Sequence, residues 1–257
     1  MRIVIAGGHG AVALLLTRRL AGRGDEVVGL VRNPDHESDI LAAGGRAVVV
    51  DLEHASVEQV ARVLDDADAV VFAAGAGPGS GAARKDTVDR GAAVLLADAA
   101  ERAGVGRYLL VSSMGADHPE RATDDVFRAY LVAKAASEAE VRSRGFDWTI
   151  LRPGGLTDDP ATGCVHLGAS VPDGRISRDD VAAVLVALLD EAATAGLTLE
   201  VVAGDDLVDA AVQAAARGEP GDGSAQAVLA EAQGPDAPEP IPPTAEPRPR
   251  GRHRAPD

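Results

Sequence analysis

The sequence predicts an α/β fold, a doubly wound parallel sheet in a single domain with helices on both faces. Three observations predict it. Short apolar runs alternate with longer helical patterns through the first 217 residues, the runs are apolar at successive positions, and a turn of small residues joins the first run to the first helical pattern. Strands apolar on both faces and separated by helices need crossover connections, which make neighbouring strands parallel. A ligand of such a sheet is expected at the carboxyl ends of the strands.

The elements follow in order. Arg2 to Ala6 reads as a buried strand, and Gly10 to Ala21 as a helix with Val12, Leu15, Leu16 and Leu20 on one face. Val27 to Val31, Ala47 to Val50, Ala69 to Phe72, Tyr108 to Val111 and Trp148 to Leu151 are further strands. Helices are expected near Pro34 to Ala43, Val57 to Leu64, Thr87 to Ala103 and Thr123 to Arg144. Asp179 to Glu191 adds a helix and Leu197 to Ala203 a strand that close the domain, read as residues 1–217. Leu156 to Ser177 shows no clear period, and 153–177 is assigned as a small substrate-side segment.

Composition bounds the function. With 25 Lys and Arg against 40 Asp and Glu the formal net charge is −15, and aromatic residues are 2%. A general nucleic-acid binder needs a broad basic surface and stacking platforms, so no nucleic-acid partner is expected. No apolar run approaches the roughly 18 residues of a membrane span, so no membrane partner is expected. Cys164 is alone, which precludes an intrachain disulfide and fits a reducing, cytoplasmic address. The short first apolar run meets Gly7 and Gly8 at once, unlike a signal peptide.

After Arg217 the composition changes. Nine of the fifteen prolines lie there, with hardly any large apolar side chains, so 218–257 is expected to be a disordered tail. Arg248, Arg250, Arg252 and Arg254 form a small basic cluster in it, read as a solvated tail or as a dock for an acidic protein partner.

The first chemical signal is Gly7-Gly8-His9-Gly10-Ala11-Val12-Ala13, the spacing G-x-x-G-x-x-A between the first strand and the first helix. Small residues there let a backbone approach a pyrophosphate, and the amides of the helix start attract it. A tight structural turn is the alternative. His9 is either a phosphate donor or an idle loop histidine. The second strand ends Gly29-Leu30-Val31-Arg32-Asn33, so a cation stands where a binder of a free ribose 2′-hydroxyl places a carboxylate. Arg32 therefore favours NADP, with NAD left open, and a surface arginine paired with Asp35 is the bland reading. By position alone, Asp51 and Leu52 are assigned to the adenine edge, and Ala73, Ala74 and Gly75 to the ribose and pyrophosphate.

The second signal is rarer. The chain has two lysines and two tyrosines, and Tyr130 and Lys134 stand at i and i+4 on one helix face. Ser112-Ser113 follows the fifth strand directly, at the sheet edge where the ligand is expected. A serine hydroxyl, a phenol and an ammonium suit carbonyl reduction: the phenol gives a proton to the developing alkoxide, the cation eases its ionisation, and the serine polarises the carbonyl oxygen. A surface pair without chemistry is the alternative. The histidines have no ligand spacing, so no metal is expected, and Cys164 lacks a base to make it a nucleophile. Asp65-Asp66, Asp124-Asp125 and Asp179-Asp180 read as helix-end or solvated carboxylates.

These residues carry a resemblance. IAGGHGAVA at 5–13, VVGLVRNP at 27–34, VVDLE at 49–53, VSSMGAD at 111–117, YLVAK at 130–134, WTILRPGGL at 148–156 and ISRDDVA at 176–182 resemble the atypical short-chain dehydrogenase/reductase superfamily, in its NmrA-like, NAD(P)H-binding branch. The resemblance implies a Rossmann fold with NADP laid across the Gly7–Gly10 loop, Arg32, Asp51 and Ala73–Gly75. It implies Ser113, Tyr130 and Lys134 at the active-site positions, with Lys134 also touching the nicotinamide ribose. Pro153, Gly154 and Gly155 would then border the nicotinamide. The function expected is an NADPH-dependent oxidoreductase passing hydride to a small carbonyl, quinone or flavin-like acceptor. A non-catalytic nucleotide sensor and a sugar-nucleotide epimerase or dehydratase are the alternatives.

Overall fold

The computed structural model describes residues 1–75 and 86–219. From residue 220 onward the expected disordered tail, with its arginine cluster, lies outside the described residues.

Seven parallel strands form the body of the sheet, in the order β3-β2-β1-β4-β5-β6-β10. They are β1 (Arg2–Ala6), β2 (Glu26–Val31), β3 (Arg46–Val49), β4 (Ala69–Phe72), β5 (Arg107–Val111), β6 (Asp147–Pro153) and β10 (Leu197–Ala203). The order reverses direction between β1 and β4, which opens a crevice at their carboxyl ends. Helices α1 (Ala11–Gly22), α2 (Glu37–Ala42), α3 (Val57–Val63), α4 (Ala92–Ala103), α5 (Asp125–Arg142) and α6 (Arg178–Asp190) supply the crossovers. This is the doubly wound Rossmann architecture.

Alternation along the strands builds two cores. Ile3 and Ile5 pack with Leu16 and Leu20 of α1 and Leu185 of α6, whereas Val4 packs on the opposite face with Val60 of α3 and Leu96 of α4. Aromatic side chains are scarce, and alanines let the helices come close: Ala92, Ala93, Ala97, Ala99 and Ala100 of α4 are all buried. Tyr108 is fully buried in this packing, stacked on Phe146 with ring centroids 5.1 Å apart.

The segment without a readable period holds three short strands. β7 (Gly155–Thr157) and β9 (Arg175–Ser177) pair in a separate parallel ribbon. β8 (Cys164–Gly168) adds antiparallel to β10, and β11 (Asp206–Leu207) adds antiparallel to β8. A last helix, α7 (Val208–Ala216), buries Val208, Ala211, Val212 and Ala215. Their spacing of three and four residues was a readable helical signal, although the sequence reading assigned no element to 204–217 of the domain. The helix expected at Pro34 to Ala43 splits into a 3₁₀ turn, Pro34–His36, and α2. The helix expected from Thr87 opens with a π turn, Asp86–Gly91, ahead of α4. Among the described residues no helix is long and apolar enough to cross a membrane.

Candidate functional site

The glycine turn is shaped by close approaches on two sides. Gly7 has φ +77°, and a Cβ there would lie 2.6 Å from Ala74 Cα, so the loop sits directly on the end of β4. A Cβ on Gly8 would lie 2.7 Å from Gly29 Cα; this buried glycine seats the loop against β2. The Gly10 amide donates to the Gly7 carbonyl at 2.8 Å and closes the turn. Gly10 is then the N-cap of α1, with no side-chain cap and no acidic residue in the first turn. The helix start keeps its electropositive end for a ligand, which fits a pyrophosphate. Ala13 is fully buried where α1 packs on the sheet, the close packing its place in the motif demands.

Two cavities meet at this loop and share Gly10 and Ala73–Gly75 as a common wall. The first, about 300 Å³, is bordered by Gly7, His9, Arg32, Asp51 and Leu52. It is the expected adenosine side. Arg32 is half exposed, and its Nη1 donates to Glu53 Oε2 at 2.9 Å, so its carboxylate partner is Glu53 and not Asp35. Asp51 accepts from the Glu53 amide and from His54 Nδ1, both at 3.0 Å. Burial pushes the Asp51 carboxyl up, but these hydrogen bonds outweigh it and hold the group below the usual carboxylate range.

The second cavity, about 690 Å³, brings together residues far apart in the chain. Ala11 and Val12 come from α1, Ser113 from the loop after β5, Tyr130 and Lys134 from α5, Pro153 and Gly154 from the end of β6, and Gly155 from the start of β7. Phe127, one turn before Tyr130, stacks on it with centroids 5.9 Å apart. Ser113 Oγ donates to the Met114 carbonyl at 3.2 Å. Lys134 Nζ lies 5.6 Å from the Tyr130 ring centroid, 3.1 Å from the Val111 carbonyl and 3.3 Å from that of Ala74. The same nitrogen is 3.2 Å from Asp89 Oδ1 in a pair almost closed to solvent. Asp89 stands in the π turn before α4, and nothing in its local sequence pointed to it.

Behind this cavity runs a buried ionic network that the sequence reading also missed. Glu138, one turn after Lys134, is 1% exposed. It accepts from Ser112 Oγ at 2.5 Å and from Arg152 Nε and Nη2, both at 2.8 Å. Arg152 Nη1 reaches Asp117 at 3.1 Å. The bidentate bond to Glu138 raises the Arg152 guanidinium above its ordinary value despite burial. Burial pushes the Asp117 carboxyl up, but Arg152, a backbone hydrogen bond and His118 together outweigh it and leave the group below the usual range. The network ties α5, the end of β5, the loop after Ser113 and β6 into one frame. The signal was readable: Glu138 is four residues from Lys134, and Arg152 interrupts an apolar strand.

Other carboxylates resolve locally. Asp124 caps α5 through the Phe127 amide at 2.7 Å, as expected of a helix-end carboxylate. Asp180 does more than face a helix dipole: 1% exposed, it accepts from Ser177 Oγ and the amides of Thr162 and Gly163, fixing the turn before β8 to α6. Among the described residues no group of three or more His, Cys, Asp or Glu side chains could hold a metal ion.

Comparison with known proteins agrees with this geometry. The model of a family described as NAD(P)H-binding matches residues 7–192. The uncharacterized sugar epimerase YhfK of Bacillus subtilis (strain 168) is 32% identical over 206 residues, covering 80% of this chain and 95% of that protein. A solved structure from Bacillus halodurans, whose name places it with NAD-dependent epimerases/dehydratases, superposes with a TM-score of 0.77 at 34% identity, covering 83% of this chain and 99% of the other. The oxidoreductase ylbE from Lactococcus lactis gives a TM-score of 0.73 at 25% identity, over 83% of this chain and 96% of that one. The chain belongs to the NAD(P)H-binding family, and it is similar to proteins named as a sugar epimerase, an NAD-dependent epimerase/dehydratase and an oxidoreductase.

Proposed function

We propose that the chain is an NADPH-dependent oxidoreductase that reduces a small carbonyl, quinone or flavin-like acceptor. The observation that carries this reading is the junction of the two cavities: one runs from the glycine turn to Arg32, and the other holds Ser113, Tyr130 and Lys134. The bound dinucleotide supplies the hydride. Gly10 and the start of α1 hold its pyrophosphate, and Arg32 exchanges Glu53 for the 2′-phosphate. Ser113 Oγ donates to the acceptor oxygen, and the Tyr130 phenol delivers the proton as charge builds there. Phe127 and Leu156 offer apolar surface for the acceptor on the open side.

The sensing alternative draws support from one observation, the closed ion pair of Lys134 with Asp89. The names of YhfK and of the Bacillus halodurans protein favour the epimerase alternative. Against it, the chain between Pro153 and α6 forms only β7, β8 and β9 with their turns, which is little material to enclose a nucleotide sugar. The deciding experiment follows NADPH oxidation with a panel of aldehydes, ketones, quinones and free flavin. Turnover of one class is expected. Tight NADPH binding without turnover of any acceptor would favour the sensor.

A further inference from the structure

Arg178 stands at the end of a short ribbon that walls the second cavity. β7 and β9 run parallel, with Thr157 opposite Ser177 as their last pair, and Asp158 and Arg178 follow at the next position of each strand. Gly155 and Leu156 of β7 border the cavity, as do Gly174 and Arg178. The ribbon is fixed to the end of β6: the Gly155 amide donates to the Gly174 carbonyl at 2.9 Å, and a Cβ on Gly154 would collide with that same oxygen. Ser177 caps α6 by accepting from the Asp180 amide at 2.9 Å, so Arg178 projects from a fixed helix start.

The guanidinium is lightly held. Its Nη1 donates to Asp158 Oδ1 at 2.7 Å, and among the described residues this is its one side-chain bond. Asp158 is 88% exposed, and an ion pair with so exposed a carboxylate is screened and weak. The acids that follow Arg178 are committed elsewhere. Asp179 accepts from Arg19 Nε at 2.7 Å, and Asp180 is taken by Ser177, Thr162 and Gly163. Arg152 offers the contrast, since its Nε and Nη2 both grip Glu138. Arg178 commits one nitrogen only, and it borders the cavity that Ser113 and Tyr130 also border.

We propose that Arg178 exchanges Asp158 for a carboxylate of the acceptor, so that the preferred acceptor is a small carbonyl compound bearing a carboxylate group. The inference rests on the reading of this cavity as the acceptor site of a reductase. A planar guanidinium meets two carboxylate oxygens through two parallel N–H bonds, which are shorter and stronger than neutral ones. One guanidinium suits a monoanion. A phosphate dianion with three acceptor oxygens calls for more donors, and Lys134, the other cation among the described residues on this border, is held by Asp89. Asp173, the acid on the same border, is exposed, so solvent and salt screen its repulsion. With a net charge of −15 the chain as a whole repels an anion, and the attraction is therefore local.

The test compares 4-carboxybenzaldehyde with 4-formylbenzamide, a neutral compound of the same shape. Each is reduced to its alcohol by hydride from NADPH and one proton. kcat/KM should favour the carboxylate by about tenfold or more, chiefly through KM, the worth of hydrogen bonds to a charged group. Arg178→Gln should bring the ratio near one. Arg178→Lys keeps the charge and loses the fork, so its ratio should fall between, and Asp158→Asn should raise the ratio by removing the competitor. Melting temperatures check that each variant folds. A binding arm titrates the NADP-loaded full chain with the two alcohol products, 4-(hydroxymethyl)benzoate and 4-(hydroxymethyl)benzamide, and should show the same preference. No preference in the wild type, or one that survives Arg178→Gln, overturns the arginine site. Turnover of both aldehydes at equal efficiency does so while sparing the reductase reading. An Arg178-dependent preference in binding, with no turnover of either aldehyde, keeps the site and overturns the reductase reading. Neither binding nor turnover overturns both.

Discussion

Lys134 Nζ lies 3.2 Å from Asp89 Oδ1, and neither side chain is more than 4% exposed. An ammonium has three donors, and here Asp89, the Val111 carbonyl and the Ala74 carbonyl are within reach of all three. Breaking a buried ion pair from one side leaves an uncompensated charge. Asp89→Ala should therefore cost about 3–5 kcal/mol in urea denaturation. Asp89→Leu with Lys134→Met should recover most of that loss, because an apolar pair of similar volume needs no partner. A single variant as stable as the wild type would show that the pair makes no net contribution to stability.

Tyr130→Phe removes one oxygen and leaves the stacking on Phe127 in place. NADPH affinity should be nearly unchanged, while the rate on a simple aldehyde or ketone should fall by roughly 10² to 10⁴, the usual contribution of general acid catalysis. Full activity on such an acceptor would make the tyrosine structural. A quinone or flavin is a poor probe, since its reduction depends less on a positioned proton donor.

The sheet was legible where strands are buried on both faces. Arg2–Ala6, Ala69–Phe72 and Leu197–Ala203 begin and end where the apolar runs do. β8 was not, because Val165 and Leu167 alternate with half-buried neighbours over only five residues. The two cavities were legible through their glycines and through the Tyr130–Lys134 spacing, both local patterns. Asp89 was not, since its partner is 45 residues away and the two meet only when the sheet brings α4 beside α5. Arg32 was legible as a cation at the end of β2, but its actual partner Glu53 comes from beyond β3, and only pairing of the strands sets that distance.

That partner gives a test of nucleotide choice. Glu53→Gln weakens the carboxylate hold on Arg32 and should tighten NADPH binding relative to NADH. Arg32→Glu should do the reverse, weakening NADPH by about tenfold or more, within the usual worth of a charge-assisted hydrogen bond to an anion. Calorimetric titration of both nucleotides measures it. Unaltered selectivity in both variants would remove Arg32 from the 2′-phosphate.

The Arg152 network gives a pH dependence whose sign is fixed by Asp117. Its carboxyl is held below the ordinary value of 3.8: burial opposes, and Arg152 with a backbone hydrogen bond and His118 outweighs it. The folded state therefore favours the ionised form. The stabilisation is complete above pH 3.8 and is lost as the pH falls through the depressed value below it. Asp117 is 47% exposed, so solvent and salt screen the pair and its worth is no more than about 1 kcal/mol. Asp117→Asn should reduce the steepness of acid unfolding by a small amount and leave stability near pH 7 lower by the same amount. Glu138→Gln is the larger change. It takes the charge from the group that holds both Arg152 nitrogens and Ser112, and it should cost about 3 kcal/mol or more. If the network positions Ser113 and α5, Glu138→Gln should also lower kcat on a carbonyl acceptor while the NADPH dissociation constant stays near that of the wild type. Equal losses in stability for Asp117→Asn and Glu138→Gln would show that Arg152 is not anchored by Glu138.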